Sequence, residues 1–240
     1  MIWLFKNRGI YYKINDYHCG LAQGPFTYNG SGLATCHNAD FLHDPDFIRA
    51  YQLGAKTGSW QGNPMEYKIY VCCWAASQAI ALDGDFVECG VYKGGMSLSV
   101  MNYVNFVNSS KTFFLLDTFE GIPEHLFSEA HRKNKVFNFE PSFDFVSHLF
   151  KEYKNVKIIK GEIPFTLNQV TTNKISYLSI DMNHEIPEIE AITYFWEKIV
   201  HGGIVVLDDY SHTFHIKQKN ALDNFSKGKG FKILTLPTGQ

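Results

Sequence analysis

Two apolar runs in this chain of 240 residues stop on acids. Gly202-Gly-Ile-Val-Val-Leu-Asp-Asp-Tyr210 has buried-strand character from Gly203 to Leu207, and it delivers Asp208 and Asp209 side by side where a strand should end. A second run, Ile175 to Ile180, stops on Asp181. In open parallel sheets, ligands collect outside the carboxyl ends of the strands. If these two strands are neighbours, three carboxylates converge on one rim, and three hard oxygen donors suit a divalent cation such as Mg²⁺. Helix capping accounts for a lone Asp at such a place. It does not account for an adjacent pair together with Asp181.

A glycine turn supplies a second chemical signal. Glu88-Cys-Gly-Val-Tyr-Lys-Gly-Gly95 joins a strand to a helix. Its glycines let a ligand approach the main chain, and the helix start behind them offers unpaired N–H groups to an anion. About one βαβ unit later, Asp117 ends the next strand, where an acid accepts hydrogen bonds from ribose hydroxyls. Together they suit an adenosine ligand with a small anion. Glu88 disfavours a pyrophosphate but tolerates an ammonium or sulfonium, so S-adenosylmethionine fits better than a dinucleotide. The pattern is neither G-x-G-x-x-G nor a P-loop. That counts against the alternative of a nicotinamide-dependent oxidoreductase.

The elements that position these groups follow from periodicity. Residues 1–65 are aromatic and Gly-rich and read as an irregular arm with a short helix at 45–53. From residue 66 to 240 strands and helices alternate. Helices are expected at 66–82, 95–107, 143–153, from Pro187 to Gly202, and at 215–226; strands at 85–90, 112–116, 156–160, 175–180, 203–207 and 231–236. Alternation of this kind predicts an α/β fold with a doubly wound, mostly parallel sheet. The aromatic connection 120–141 and the arm are expected to cover the site as lids; the arm serves equally well as a surface for pairing with a second copy.

The formal net charge of −2 offers no electrostatic case for nucleic acid or an anionic membrane. Five cysteines without C-x-x-C spacing give neither a disulfide framework nor a zinc site, which favours a reducing, cytoplasmic setting. No apolar run reaches membrane-spanning length.

The motifs as a set resemble the macrocin O-methyltransferase family of class I S-adenosylmethionine-dependent enzymes. Asp85-Phe-Val-Glu-Cys-Gly-Val-Tyr-Lys-Gly-Gly95 is similar to that family's first motif and Leu116-Asp-Thr-Phe-Glu-Gly-Ile-Pro123 to its second. Gly161-Glu-Ile-Pro-Phe-Thr-Leu167 is similar to the segment against the adenine, and Asp181 and 202–210 to the metal-binding strands. The resemblance spans about residues 35–240. It implies cofactor contacts from Glu88, Cys89, Gly90, Val91 and Tyr92, from Asp117, Thr118 and Phe119, from Gly161, Glu162 and Ile163, and from Asp181. It implies Mg²⁺ on Asp181, Asp208 and Asp209, and methyl transfer to a hydroxyl of a vicinal diol on a sugar or natural product. Cys89 itself reads as a small buried residue of the turn.

Two departures stand out. Asn183 occupies the position where many members carry a proposed general base, so His184 and His212 become the candidate bases, and a degenerate relative that binds without turnover is the alternative. The family's final antiparallel strand is also missing after Gln240, so the chain is expected to lack its C-terminal piece.

Overall fold

Short apolar runs bounded by Gly, Asp and Lys pair where the sequence predicts strands, and the helices between them return the chain to the same edge. The computed structural model describes residues 2–4, 10–14, 17–21, 26–127 and 139–240. The arm carries more structure than its composition suggests. Strands β1 (Ile2–Leu4), β2 (Ile10–Ile14) and β3 (Tyr17–Leu21) form an antiparallel meander, and β4 (Tyr28–Gly30) and β5 (Leu33–Thr35) form a hairpin. Helix α1 (Pro45–Ala55) follows, with Pro45 at its first position and the Asp44 carboxylate accepting from the Asp46 N–H at 2.9 Å.

The remaining elements are α2 (Glu66–Ala79), β6 (Asp85–Cys89), α3 (Gly95–Tyr103), β7 (Phe113–Asp117), α4 (Phe143–Phe150), β8 (Val156–Lys160), β9 (Ile175–Ile180), α5 (Glu185–Phe195), β10 (Ile199–Leu207) and α6 (Ile216–Lys229). The strands make one five-stranded parallel sheet in the order β10-β9-β6-β7-β8. The order reverses between β6 and β9, which creates the crevice at which such sheets bind ligands.

Alternate residues of the strands face two cores. Phe86, Phe113, Leu115 and Tyr177 pack with residues of α1 to α4 on one face. Val87, Phe114, Leu116, Leu178 and Ile180 pack with Ala191, Ile192 and Phe195 of α5 and Leu222 of α6 on the other. The strands are thus apolar on both faces, as a doubly covered parallel sheet requires.

Three expectations need correction. Residues 231–236 form no strand. Their alternating pattern comes from packing, with Phe231 stacked 4.6 Å from Trp196 and Leu234 exposed, and no ladder partner lies beside them among the described residues. Gly202 does not end a helix: α5 stops at Phe195, and β10 begins at Ile199 and runs through Gly202 with a register irregularity before Ile204. Helix α3 stops at Tyr103, short of Val107, because the chain turns at Asn105 with φ +52°.

The close approach of β6 and β9 depends on Gly90. Its φ is +93°, and a Cβ there would lie 1.8 Å from the Asp181 carbonyl oxygen. Neither backbone segment can move without breaking the ladder. Gly90→Ala is therefore expected to destabilise the protein by more than about 2 kcal/mol in urea denaturation. Gly228→Ala, in α6 with nothing within 4 Å of the new methyl, is the contrast. It should raise stability by about 0.5 kcal/mol through helix propensity alone.

Candidate active site

The sheet register assembles the site. Cys89 is in register with Leu116 on one side and Ile180 on the other, and Ile180 with Leu207. Backbone bonds carry the alignment one residue further. The Gly161 N–H donates to Asp117 O (2.9 Å), Gly90 to Leu116 O (2.9 Å), Asp181 to Cys89 O (2.8 Å) and Asp208 to Ile180 O (3.0 Å). Gly161, Asp117, Gly90, Asp181 and Asp208 thus stand in one row across the carboxyl edge. Above that row lies a cleft of about 210 Å³.

Of the residues the motifs imply for the cofactor, Glu88, Gly90, Val91, Tyr92, Asp117, Thr118, Phe119, Gly161, Glu162, Ile163 and Asp181 line this cleft. Cys89 does not: its side chain is fully buried in the core under α5, where burial pushes the thiol pKa up. It contributes through its carbonyl. From the arm, Ser59, Trp60 and Met65 reach the cleft, and from the 120–141 connection so do Gly121, Ile122, Pro123, Leu126 and Phe139. Residues 128–138 of that expected lid lie outside the described residues.

The Asp117 carboxylate already has partners. One oxygen accepts from the N–H groups of Val91 (2.6 Å) and Tyr92 (2.8 Å), the other from Phe119 (2.6 Å). The Thr118 hydroxyl also lies 3.3 Å from that second oxygen, though it is closer to the Gly121 carbonyl at 2.6 Å, so of about four lone-pair sites one at most is open to a ribose hydroxyl, where two were expected. Asp117 also ties the glycine turn to the loop after β7.

Glu88 is fully buried, and neither carboxylate oxygen has a hydrogen-bond partner of good geometry among the described residues. Burial pushes its pKa up to about 8, aided by Asp117 and Asp208 and opposed by the nearby Ser97 hydroxyl. A buried acid without a partner, opening into a cleft, is a receptor for a cationic group. The ammonium or sulfonium of S-adenosylmethionine fits that chemistry.

One oxygen from each of Asp181, Asp208 and Asp209 lies within 4.8 Å of the others. The donor set suits a hard divalent cation. Burial and then the two neighbouring carboxylates push the Asp181 pKa well up, against a pull from Lys68. The Lys68 ammonium, from the first turn of α2, donates to Asp208 Oδ2 at 2.7 Å and to Asp209 Oδ1 at 3.3 Å. Burial alone would lower its pKa, but the acids hold it well above the usual lysine value. His215 Nε2 lies 3.5 Å from Asp209 Oδ2, and its Nδ1 pairs with Gln218 Oε1. Gln218 Nε2 in turn donates to the buried Glu188 at 3.0 Å.

Neither Lys68 nor His215 was visible as a site residue in the sequence. The only available signal was a lysine in the first turn of an apolar helix, where the helix dipole disfavours it.

The two candidate bases separate. His184 lines the cleft, buried, with Nδ1 accepting from the Ile186 N–H at 3.2 Å as the cap of α5. His212 is exposed, caps the turn at 213–215 through the Phe214 N–H (3.4 Å), and does not line the cleft. Asn183, at φ +56°, donates from Nδ2 to Asp181 Oδ1 at 3.2 Å.

Comparisons with known proteins bear on the family and the fold. Demethyldecarbamoylnovobiocin O-methyltransferase of Streptomyces niveus is 26% identical over 53% of each chain. The 8-demethyl-8-(2,3-dimethoxy-alpha-L-rhamnosyl)-tetracenomycin-C 4'-O-methyltransferase of Streptomyces olivaceus is 22% identical over 58% of each. The matched stretch thus spans little more than half the length of these relatives. Among solved structures, the O-methyltransferase NovP superimposes with a TM-score of 0.59 at 22% identity, covering 70% of this chain and 75% of that one. The calicheamicin methyltransferase CalS11 gives 0.58 at 13% identity, covering 84% and 90%. Both likenesses establish the class I methyltransferase-like fold. Residues 71–233 match the macrocin-O-methyltransferase (TylF) family, and with that stretch filling more than half of its length, the chain belongs to this family.

Proposed function

We propose that this chain is an S-adenosylmethionine-dependent O-methyltransferase acting on a hydroxyl of a sugar or other small natural product, one of a vicinal diol, with a divalent cation such as Mg²⁺ at its acidic centre. The observation that carries the reading is the single row of strand ends, in which the glycine turn, Asp117 and the acids at 181 and 208 share one cleft. Both curated relatives are named as O-methyltransferases, one of them of a rhamnosyl-tetracenomycin, which supports the acceptor class.

The sulfonium methyl of the cofactor is already activated, so the protein's task is to align an acceptor oxygen and ease the loss of its proton. Glu88 would attract the cationic end of the cofactor. Asp117 would hold the glycine turn in shape and take one ribose hydroxyl, and Gly161 to Ile163 would line the adenine side. Asp181, Asp208 and Asp209 would hold the divalent ion, which when bound orients a hydroxyl and lowers its pKa.

His184 is the candidate base in position. With Nδ1 accepting from Ile186, its neutral form carries the proton on Nε2, so abstraction from an acceptor requires that bond to be released. Asn183 cannot take a proton and would orient Asp181. The same amide favours a second reading, a relative that binds the cofactor without turnover.

Calorimetric titration of S-adenosylmethionine is expected to give micromolar binding in the wild type and at least a tenfold loss in Asp117→Ala; a folded wild type that does not bind overturns the reading. Methyl transfer to a panel of sugar diols, with and without Mg²⁺, then separates turnover from binding alone.

Glu88→Gln provides a test through pH. An acid whose folded pKa is raised to about 8 costs stability that is absent below its unfolded value and grows as pH rises toward 8. The variant should therefore melt close to the wild type at pH 5 and above it at pH 8. The difference expected at pH 8 is on the order of 4 kcal/mol, while cofactor affinity falls. A gap in melting temperature that does not widen with pH would show that Glu88 is not the buried, partnerless acid described above.

A further inference from the structure

Lys68 is an unusual residue to find where it is. It is the third residue of α2, where the helix dipole opposes a positive charge, and its side chain is only 8% exposed. It is nevertheless fixed from both sides. Gln240 Nε2 donates to the Lys68 carbonyl at 3.4 Å, and the Gly239 backbone packs against its stem, 3.8 Å separating Cε from the position a Cβ would take. Its ammonium lies on Asp208 and Asp209, two of the three acids that would hold a divalent ion.

Burying an ammonium at a helix N-terminus is costly, and only the acids compensate it. With all three carboxylates ionised, as a bound cation requires, one ammonium leaves an excess of two negative charges, which is the charge a divalent cation cancels. The ammonium and the ion therefore call on the same two carboxylates, Asp208 and Asp209. Resting on the reading of the acids as a cation site, we infer that Lys68 is an internal counter-cation that competes with the divalent ion for Asp208 and Asp209 and so sets its affinity. In the ion-free protein Lys68 keeps three crowded acids together. On loading, its ammonium gives up its bonds to both, and the site binds metal more weakly than three carboxylates alone would.

The test uses the full chain without acceptor. Mn²⁺ binding is followed by the loss of the free-ion electron paramagnetic resonance signal in wild type, Lys68→Met and Lys68→Gln at pH 7.5, with S-adenosylmethionine binding measured in parallel. Lys68→Met should bind Mn²⁺ at least tenfold more tightly than wild type. Its melting temperature should fall without metal and recover with saturating Mn²⁺ by more than the wild type gains. Lys68→Gln, which keeps a donor toward the acids, should bind with intermediate affinity, and it carries the test if the Met variant does not fold. Unchanged or weaker Mn²⁺ binding in a folded variant overturns the inference. So does an absence of Mn²⁺ binding in every protein. Failure of the wild type to bind S-adenosylmethionine, whatever Mn²⁺ does, instead overturns the methyltransferase reading.

Discussion

At the carboxyl ends of β6, β9 and β10, four acids (Glu88, Asp181, Asp208 and Asp209) stand with one ammonium, Lys68, among them. Their separation is not free to adjust. The ladder bonds from Asp181 to Cys89 and from Asp208 to Ile180 fix the backbones that carry them, so repulsion cannot be relieved by drifting apart. It is relieved by cations or by protonation, and the raised pKa values of Glu88 and Asp181 record how little water takes part. Much of the surrounding architecture answers this one constraint. Helix α2 enters with a lysine in its first turn, the segment 236–240 folds back to hold that lysine, and the Glu188–Gln218–His215 chain braces Asp209 from behind.

The half of the site made by strand ends was legible in the sequence, and the half made by helix faces was not. Apolar runs that stop on Gly90, Asp117, Gly161, Asp181 and Asp208 mark both the strands and their ends, and parallel pairing does the rest, because register turns five separate stops into one row. Lys68 lies 140 residues from Asp208, and nothing local distinguishes it from a solvated lysine. Its place depends on which strand α2 covers, and strand order is not written in periodicity. The failure at 231–236 has a related cause. An alternating pattern records which side chains are shielded, here by Trp196, and a strand needs in addition a neighbour to bond to. His212 was attractive for its nearness to Asp209 in sequence, yet the turn at 213–215 points it outward and presents His215 instead.

The arm is built into the site. The Ser59 hydroxyl accepts from the Gly95 N–H at 2.9 Å, the first residue of α3, and pairs with Thr57 at 2.8 Å. Gly54 of α1 lies so close to α3 that a Cβ there would meet the Gly95 carbonyl at 2.5 Å. Trp60 is stacked on Tyr51, 5.8 Å between ring centroids, and forms part of the cleft wall. Whatever moves α1 therefore also moves the start of the helix behind the glycine turn. This coupling makes the approach to the cofactor side dependent on residues well before the first motif.

Asn183 can be understood from the same charge excess. Its positive φ is a conformation that Asn tolerates better than most residues, and its amide donates to Asp181. An aspartate there would keep the backbone conformation but lose that donor and add a further negative charge beside Asp181. A base at 183 would thus be obtained at the expense of the ion-free state, adding to the crowding of carboxylates that Lys68 already meets there. An amide keeps Asp181 oriented and the cluster tolerable, and under the proposed mechanism proton removal would then fall to the divalent ion and to His184. The residue that most separates this chain from the expected pattern is therefore the one that best suits the electrostatics of its own site.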